Sequence, residues 1–155
     1  MAGPALAEFK FESKRMQGFL RRISKGTADV KGTRKRYVAA MSTFVHRDVL
    51  DHFEQEMGPD GKWDAWSAIY AQHMARVGKS GNKILQDTGR LRGSFKPTDN
   101  RTTAEGILWF NNAKTNSGFN YAGHHNETRP FMWLSKDGLE DMAKATLRFI
   151  MAGGK

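Results

Sequence analysis

Ile84–Phe95, ILQDTGRLRGSF, is the stretch where the chain changes character. Upstream of it apolar residues recur at helical spacing. Downstream, short runs of β-forming residues alternate with polar turns. Leu85, Leu91 and Phe95 are the large apolar positions of a segment that otherwise carries Asp-Thr-Gly and two arginines. Asp87 or Thr88 can cap a helical turn, Gly89 relaxes the backbone, and Leu91 ties that turn to a core. Ser94 and Phe95 then begin the first strand. Read this way the stretch is a joint between a helical half and a sheet.

Upstream of the joint, RKRYVAAMSTFVHRDVLDHFEQEM places Val38, Met41, Val45, Val49 and Phe53 on one helical face with Leu50 beside them. Thr33 is its candidate cap, and the Gly58–Gly61 turn, GPDG, ends it. Trp63, Trp66, Ile69 and Tyr70 can share a second helical face before the flexible loop GKSGN. Closer to the start, Met16, Phe19, Leu20 and Ile23 follow the i, i+3, i+4, i+7 pattern of a short amphipathic helix, and SKGTADVKGT (residues 24–33) reads as loop. Downstream, residues 94–96, GILWF (106–110) and FNYAGHH (119–125) read as strands, with TDNRTT and NNAKTNSG as turns and RPFMWL as a further extended piece. A closing helix begins near Lys136, with Ser135 as N-cap and Leu139, Met142, Ala143, Thr146 and Ile150 on one face. The expected architecture is α+β: N-terminal helices and a C-terminal helix packed on a small antiparallel β-sheet.

A chain of 155 residues has the length of one domain and can bury a core. It has no cysteine, which excludes disulfides and thiolate metal sites. No run is long and apolar enough to span a bilayer, and MAGPALAEFKFESKR lacks the apolar core of a secretion signal. A protein that stays where it is made, with no membrane partner, is expected. The net charge of +9 is unevenly placed. Residues 1–36 hold ten Lys/Arg against three acids, leaving fifteen against thirteen for the rest. The division expected is therefore a basic arm with a short helix over residues 1–32 and a single domain over 33–155. Within and beside the arm, Lys14, Arg15, Arg21, Arg22, Lys31, Arg34, Lys35 and Arg36 are candidate contacts to phosphate or to an acidic partner. A solvated leader is the alternative for the arm itself, and a non-specific DNA-binding protein that uses the arm is the alternative for the whole chain.

The motifs that resemble catalytic sites lack the companions their chemistry needs. GHHN (residues 123–126) offers two histidines, but only Glu127 stands near, and His46, His52 and His73 lie far upstream. A strand end with one buried and one exposed histidine explains them better than a metal nuclease. Asp87-Thr88-Gly89 matches the aspartic-protease tripeptide, yet that chemistry needs a second carboxylate sharing the proton, and RLRGS follows where a hydrophobic strand should. GKSGNK lacks the spacing of a phosphate loop. No nucleophile–base–orienter set can be assembled, so no enzyme, cofactor or metal is expected.

Four signatures in order carry a resemblance. Pro59, Asp60, Gly61 and Trp63 come first; Leu85, Thr88, Gly89, Leu91 and Ser94 second; Tyr121, Ala122 and His125 third; and Arg129, Pro130 and Phe131 last, before the terminal helix. Together they resemble the phage virion morphogenesis (tail completion) family of Mu-like phages, related to small siphophage neck and tail proteins, over about residues 58–150. The connection HHNET is shorter than the family's usual one. The resemblance implies a structural virion protein, made in the host bacterial cytoplasm, that forms a ring of its own copies in the neck or upper tail, most often a hexamer. Its implied partners are other neck, connector and tail-tube proteins and the packaged DNA in the channel. A ring needs unlike faces in contact, for which Trp66, Trp109, Phe119 and Trp133 are candidates beyond what a small core requires.

Overall fold

The structure, a computed structural model, describes residues 5–10, 18, 30–102 and 106–152. In chain order the elements are β1 (Ala5–Lys10), α1 (Val30–Gln55), β2 (Met57–Gly58), β3 (Gly61–Lys62), α2 (Ala68–Arg76), α3 (Arg90–Ser94), β4 (Asn100–Thr102), β5 (Gly106–Asn111), α4 (Tyr121–Thr128) and α5 (Lys136–Met151). The fold is α+β.

α1 is the spine. Tyr37, Met41, Val45, Val49 and Phe53 are fully buried along one face, and Val38 and Leu50 flank them half-buried, as the 3.6-residue period requires. The helix begins at Val30, so Thr33 lies inside it rather than capping it, and VKGT is helix rather than loop. Its C-terminal end passes into the β2–β3 hairpin, whose turn is Pro59–Asp60. The amphipathic helix expected over Met16–Ile23 falls outside the described residues apart from Gly18, which is helical.

α5 packs along α1. Tyr37 Oη and Thr146 Oγ1 lie 3.0 Å apart, and the Tyr37 and Phe149 rings meet at 5.3 Å. Burial pushes the Tyr37 phenol up to about 12 against the opposing effect of that hydrogen bond, so it stays neutral and able to donate. Ser135 caps α5, its Oγ accepting from Gly138 N at 2.9 Å, as expected. The buried stripe of α5 is Gly138, Met142 and Thr146, with Ala145 and Phe149 packed against the core. Leu139, Ala143 and Ile150, expected on that stripe, are rotated out of it and exposed.

The main sheet runs β1-β5-β4, antiparallel throughout. β5 is central: Ile107, Trp109 and Asn111 are buried while Leu108 and Phe110 are half-buried, the alternation of a strand with one face on a core. Its neighbours are not those the sequence led us to expect. Residues 5–10 of the basic front pair with 106–111, and Asn100–Thr102, read above as part of a turn, pairs with 107–109. Ser94–Lys96 is no strand: Ser94 ends α3, and Phe95 leaves it extended with its ring buried. FNYAGHH is likewise not a strand, because Asn120 caps a helix there by accepting from Gly123 N at 3.0 Å. The β-forming residues of that segment were outvoted by one side-chain cap and by Ala122, which is fully buried. RPFMWL is irregular. Trp63, in turn, lies outside α2, which begins only at Ala68, so the expected shared face of Trp63, Trp66, Ile69 and Tyr70 does not form.

Candidate functional site

The four signatures meet in space, and hydrogen bonds say why. The irregular segment after α4 cannot satisfy its own backbone, so side chains do it. Trp63 Nε1 donates to the Pro130 carbonyl at 3.1 Å, and Arg129 Nη2 donates to the Asp64 carbonyl at 3.2 Å. Asn126 Oδ1 accepts from both Phe131 N (2.9 Å) and Met132 N (2.8 Å). His52 Nδ1 lies 2.9 Å from the Phe131 carbonyl. Phe131, thus pinned, inserts its fully buried ring against Phe53 at 5.1 Å. Pro59, Asp60 and Gly61 supply the hairpin that delivers Trp63, itself buried.

The Asp87–Gly89 turn is equally structural. Asp87 Oδ1 accepts from Lys79 Nζ at 2.7 Å, and the Asp87 carbonyl accepts from Asn82 Nδ2 at 3.2 Å. The GKSGN loop is therefore clamped by Asp87, which accounts for both the protease-like and the phosphate-loop-like strings. Gly89 takes φ +67, a left-handed geometry that suits glycine, immediately before α3. Leu85 adopts φ +59 despite its side chain, a strained position for a branched residue. Thr88 Oγ1 accepts from Arg90 N at 3.4 Å, Leu91 is buried, and Ser94 Oγ donates to the Leu91 carbonyl at 2.6 Å.

A cavity of about 650 Å³ opens where these parts converge. Leu85, Leu91 and Thr88 come from the joint, Trp66 from just before α2 and Tyr70 from its first turn, and Tyr121, His125 and Arg129 from α4 and its end. The walls are mainly apolar. Tyr121 Oη and Arg129 Nε are buried without a hydrogen-bond partner among the described residues, a cost of about 1–3 kcal/mol for each such group. His125 is held below the usual histidine range by burial first, then by the neighbouring His124 and Arg129 charges. It is neutral near pH 7.

A second buried polar cluster fixes the start of α5. Asp48 Oδ2 accepts from Ser135 N at 2.8 Å, and Oδ1 accepts from Ser135 Oγ at 2.5 Å. His52 lies 3.8 Å from Asp48 Oδ2 and stacks on Trp133 at 4.2 Å and 11°. Burial lowers the His52 pKa, opposed by the Phe131 carbonyl and by Asp48 and Asp51. Sequence reasoning missed Asp48 and His52. Their only signal was a charged residue recurring beside the apolar face of α1.

Of the aromatic residues singled out, Phe119 is exposed, Trp66 and Trp133 are half-buried, and Trp109 is fully buried with Nε1 donating to Ser42 Oγ at 2.8 Å. Trp109 is thus core, and its burial removes it from the interface candidates. Lys14, Arg15, Arg21 and Arg22 lie outside the described residues, as do the side chains of Lys31 and Arg34; Lys35 and Arg36 are exposed on α1. His124 and His125 sit on α4, not at a strand end, and Asn126 is committed to backbone N–H groups. Among the described residues no group of three or more His, Asp or Glu is placed to hold a metal, and no helix is long and apolar enough to cross a membrane.

Compared with known families, the chain matches the phage virion morphogenesis family over residues 12–119, more than two-thirds of its length. The chain belongs to that family. The matched span starts inside the basic front, which the four signatures left out, and contains the first two of them. It stops short of Tyr121–His125 and Arg129–Phe131, yet the structure ties those residues to Trp63 and Asp64 inside it. No curated protein and no solved structure matches the chain. Membership gives this protein a structural part in phage morphogenesis and a place among virion components.

Proposed function

We propose that this protein forms a homo-oligomeric ring in the neck or upper tail of a tailed phage, completing the tail and joining it to the head. One observation carries the reading within the family: the chain bears apolar surfaces on two separate elements. The first surrounds the 650 Å³ cavity, where Tyr70 (43% exposed) stands near Ile69 (84%) on α2. The second runs along α5 through Leu139, Leu147, Ile150 and Met151, the last 79% exposed. Two unlike patches on one chain suit head-to-tail association, which closes into a ring when the rotation allows it. Patches of this kind mark interaction sites in soluble proteins.

The partners on this reading are further copies, six by the commonest tail symmetry, and then connector and tail-tube proteins above and below. The basic front contributes contacts to phosphate or to acidic surfaces. The test is mass photometry with negative-stain imaging of the purified protein. Rings are expected for the wild type. L147D/I150D and W66A/Y70A should each give folded monomers that re-form one interface when mixed, since each variant keeps the opposite face. A wild type that stays monomeric at every concentration, and is missing from purified virions, overturns the reading.

A further inference from the structure

Several cations of the body have a carboxylate partner. Lys79 pairs with Asp87, Lys83 and Arg92 with Glu54, Arg47 with Asp141, and Lys144 with Glu140. Arg90, Lys96 and Lys114 do not: among the described residues no carboxylate lies within ion-pair distance of any of them. These same three side chains line one shallow depression of about 450 Å³, together with Gly93, Ser94 and Tyr121, and no acidic residue shares its walls.

The fold brings them together deliberately in the sense that each is positioned by its neighbours. α3 is short, so Arg90 at its start and Lys96 just past its end stay close. Asn111 Nδ2 donates to Ser94 Oγ at 3.0 Å, which binds α3 to the end of β5 and so to Lys114. Arg90 Nη2 donates to the Lys114 carbonyl at 3.3 Å, and its guanidinium lies 5.9 Å from the Tyr121 ring centre. The Arg90 fork is thereby pre-set with further N–H donors available, since a guanidinium carries five. Like charges gathered without a counter-charge repel, so the arrangement is stabilised by an anion.

We propose that this depression is a phosphate-binding site that holds the backbone of double-stranded DNA without reading its sequence. An arginine fork with two lysines matches phosphate oxygens. Apart from Tyr121 the lining offers no large apolar side chain, so an acidic protein would find little of the anchoring that protein interfaces use. A phosphate backbone needs none. The inference does not draw on the basic front, because these residues belong to the body; Arg90 and Tyr121 also line the 650 Å³ cavity, while Lys96 and Lys114 do not.

The test is fluorescence anisotropy of two labelled duplexes of unrelated sequence, titrated with the full chain at several salt concentrations. Wild type should bind both alike. R90Q/K96Q/K114Q should lose at least tenfold in affinity at low salt, and its plot of log K against log salt should flatten by about 2–3, one per phosphate contact removed. R90K/K96R/K114R should keep the wild-type slope. Should the triple variant melt early, K96Q and K114Q singly should each flatten the slope by about 1. Wild-type affinity and slope in the triple variant would overturn the proposal. So would a wild type that binds poly-glutamate through these residues and ignores DNA.

Discussion

Gly138→Ala should destabilise this protein, although the same change in most helices does the opposite. Gly138 is the third residue of α5, where alanine would ordinarily be favoured by about 1 kcal/mol. Here a Cβ would lie 2.5 Å from Asp48 Oδ2 and 2.6 Å from its Cγ. The carboxylate cannot retreat freely, because Ser135 N and Oγ both donate to it. Displacing it weakens two charge-assisted bonds at about 1.5–3 kcal/mol each, or forces a comparable shift of α5 away from α1. With the propensity gain of about 1 kcal/mol subtracted, the net cost is about 2–5 kcal/mol, a fall in melting temperature of roughly 4–20 °C for a chain of this size. Thermal and urea unfolding followed by circular dichroism would measure it. Gly32→Ala is the control: it lies in α1 with nothing within 4 Å of an added Cβ, and should be neutral or mildly stabilising. The sharper check is a cycle with Asp48→Ala, against which Gly138→Ala should become favourable. A G138A protein as stable as wild type, or a clash that persists without Asp48, would refute the reasoning.

Other outcomes follow from the same contacts. Asn126→Ala should cost about 2–4 kcal/mol by leaving Phe131 N and Met132 N unpartnered, and Trp63→Phe about 1–2 kcal/mol by freeing the Pro130 carbonyl; urea unfolding reads both. His52 and His125 both have lowered pKa values in the folded state, so below the ordinary histidine pKa the unfolded chain binds more protons. Stability should be fully present above about pH 6.5 and fall as the pH drops from there toward the folded values. H125Q should flatten part of that slope, and an unchanged pH dependence would contradict the assignment. Replacing Lys14, Arg15, Arg21 and Arg22 with glutamine should leave the fold intact and reduce head–tail joining, counted as infectious particles. Deleting residues 1–32 is a harsher experiment, because it also removes β1 from the sheet.

Periodicity carried the helices that bury one face. α1 and α5 were readable because Met41, Val45, Val49 and Phe53, or Met142 and Thr146, recur at 3.6 residues, and Ser135 announced its cap. The β half was less readable. The strands of its main sheet are 3–6 residues long, β4 consists of Asn-Arg-Thr, and β1 reaches β5 across about a hundred residues, a pairing no local pattern records. Tyr121–Thr128 looked extended by composition and became helix because Asn120 caps it and Ala122 packs. Of the candidate site, the four signatures were visible as strings. Their meaning was not: Trp63 and Pro130 are 67 residues apart, and their shared hydrogen bond exists only after α1 and the hairpin have folded. Asp48 and His52 stayed hidden because a buried polar pair on an apolar helix face looks, in sequence, like ordinary helix surface.

A reconstruction of the intact virion tests the central claim most directly. The account predicts a closed ring of this chain at the head–tail junction, with α5 of each copy against the Trp66–Tyr70 region of the next. Density for the chain at the distal end of the tail, or none anywhere in the particle, would contradict it.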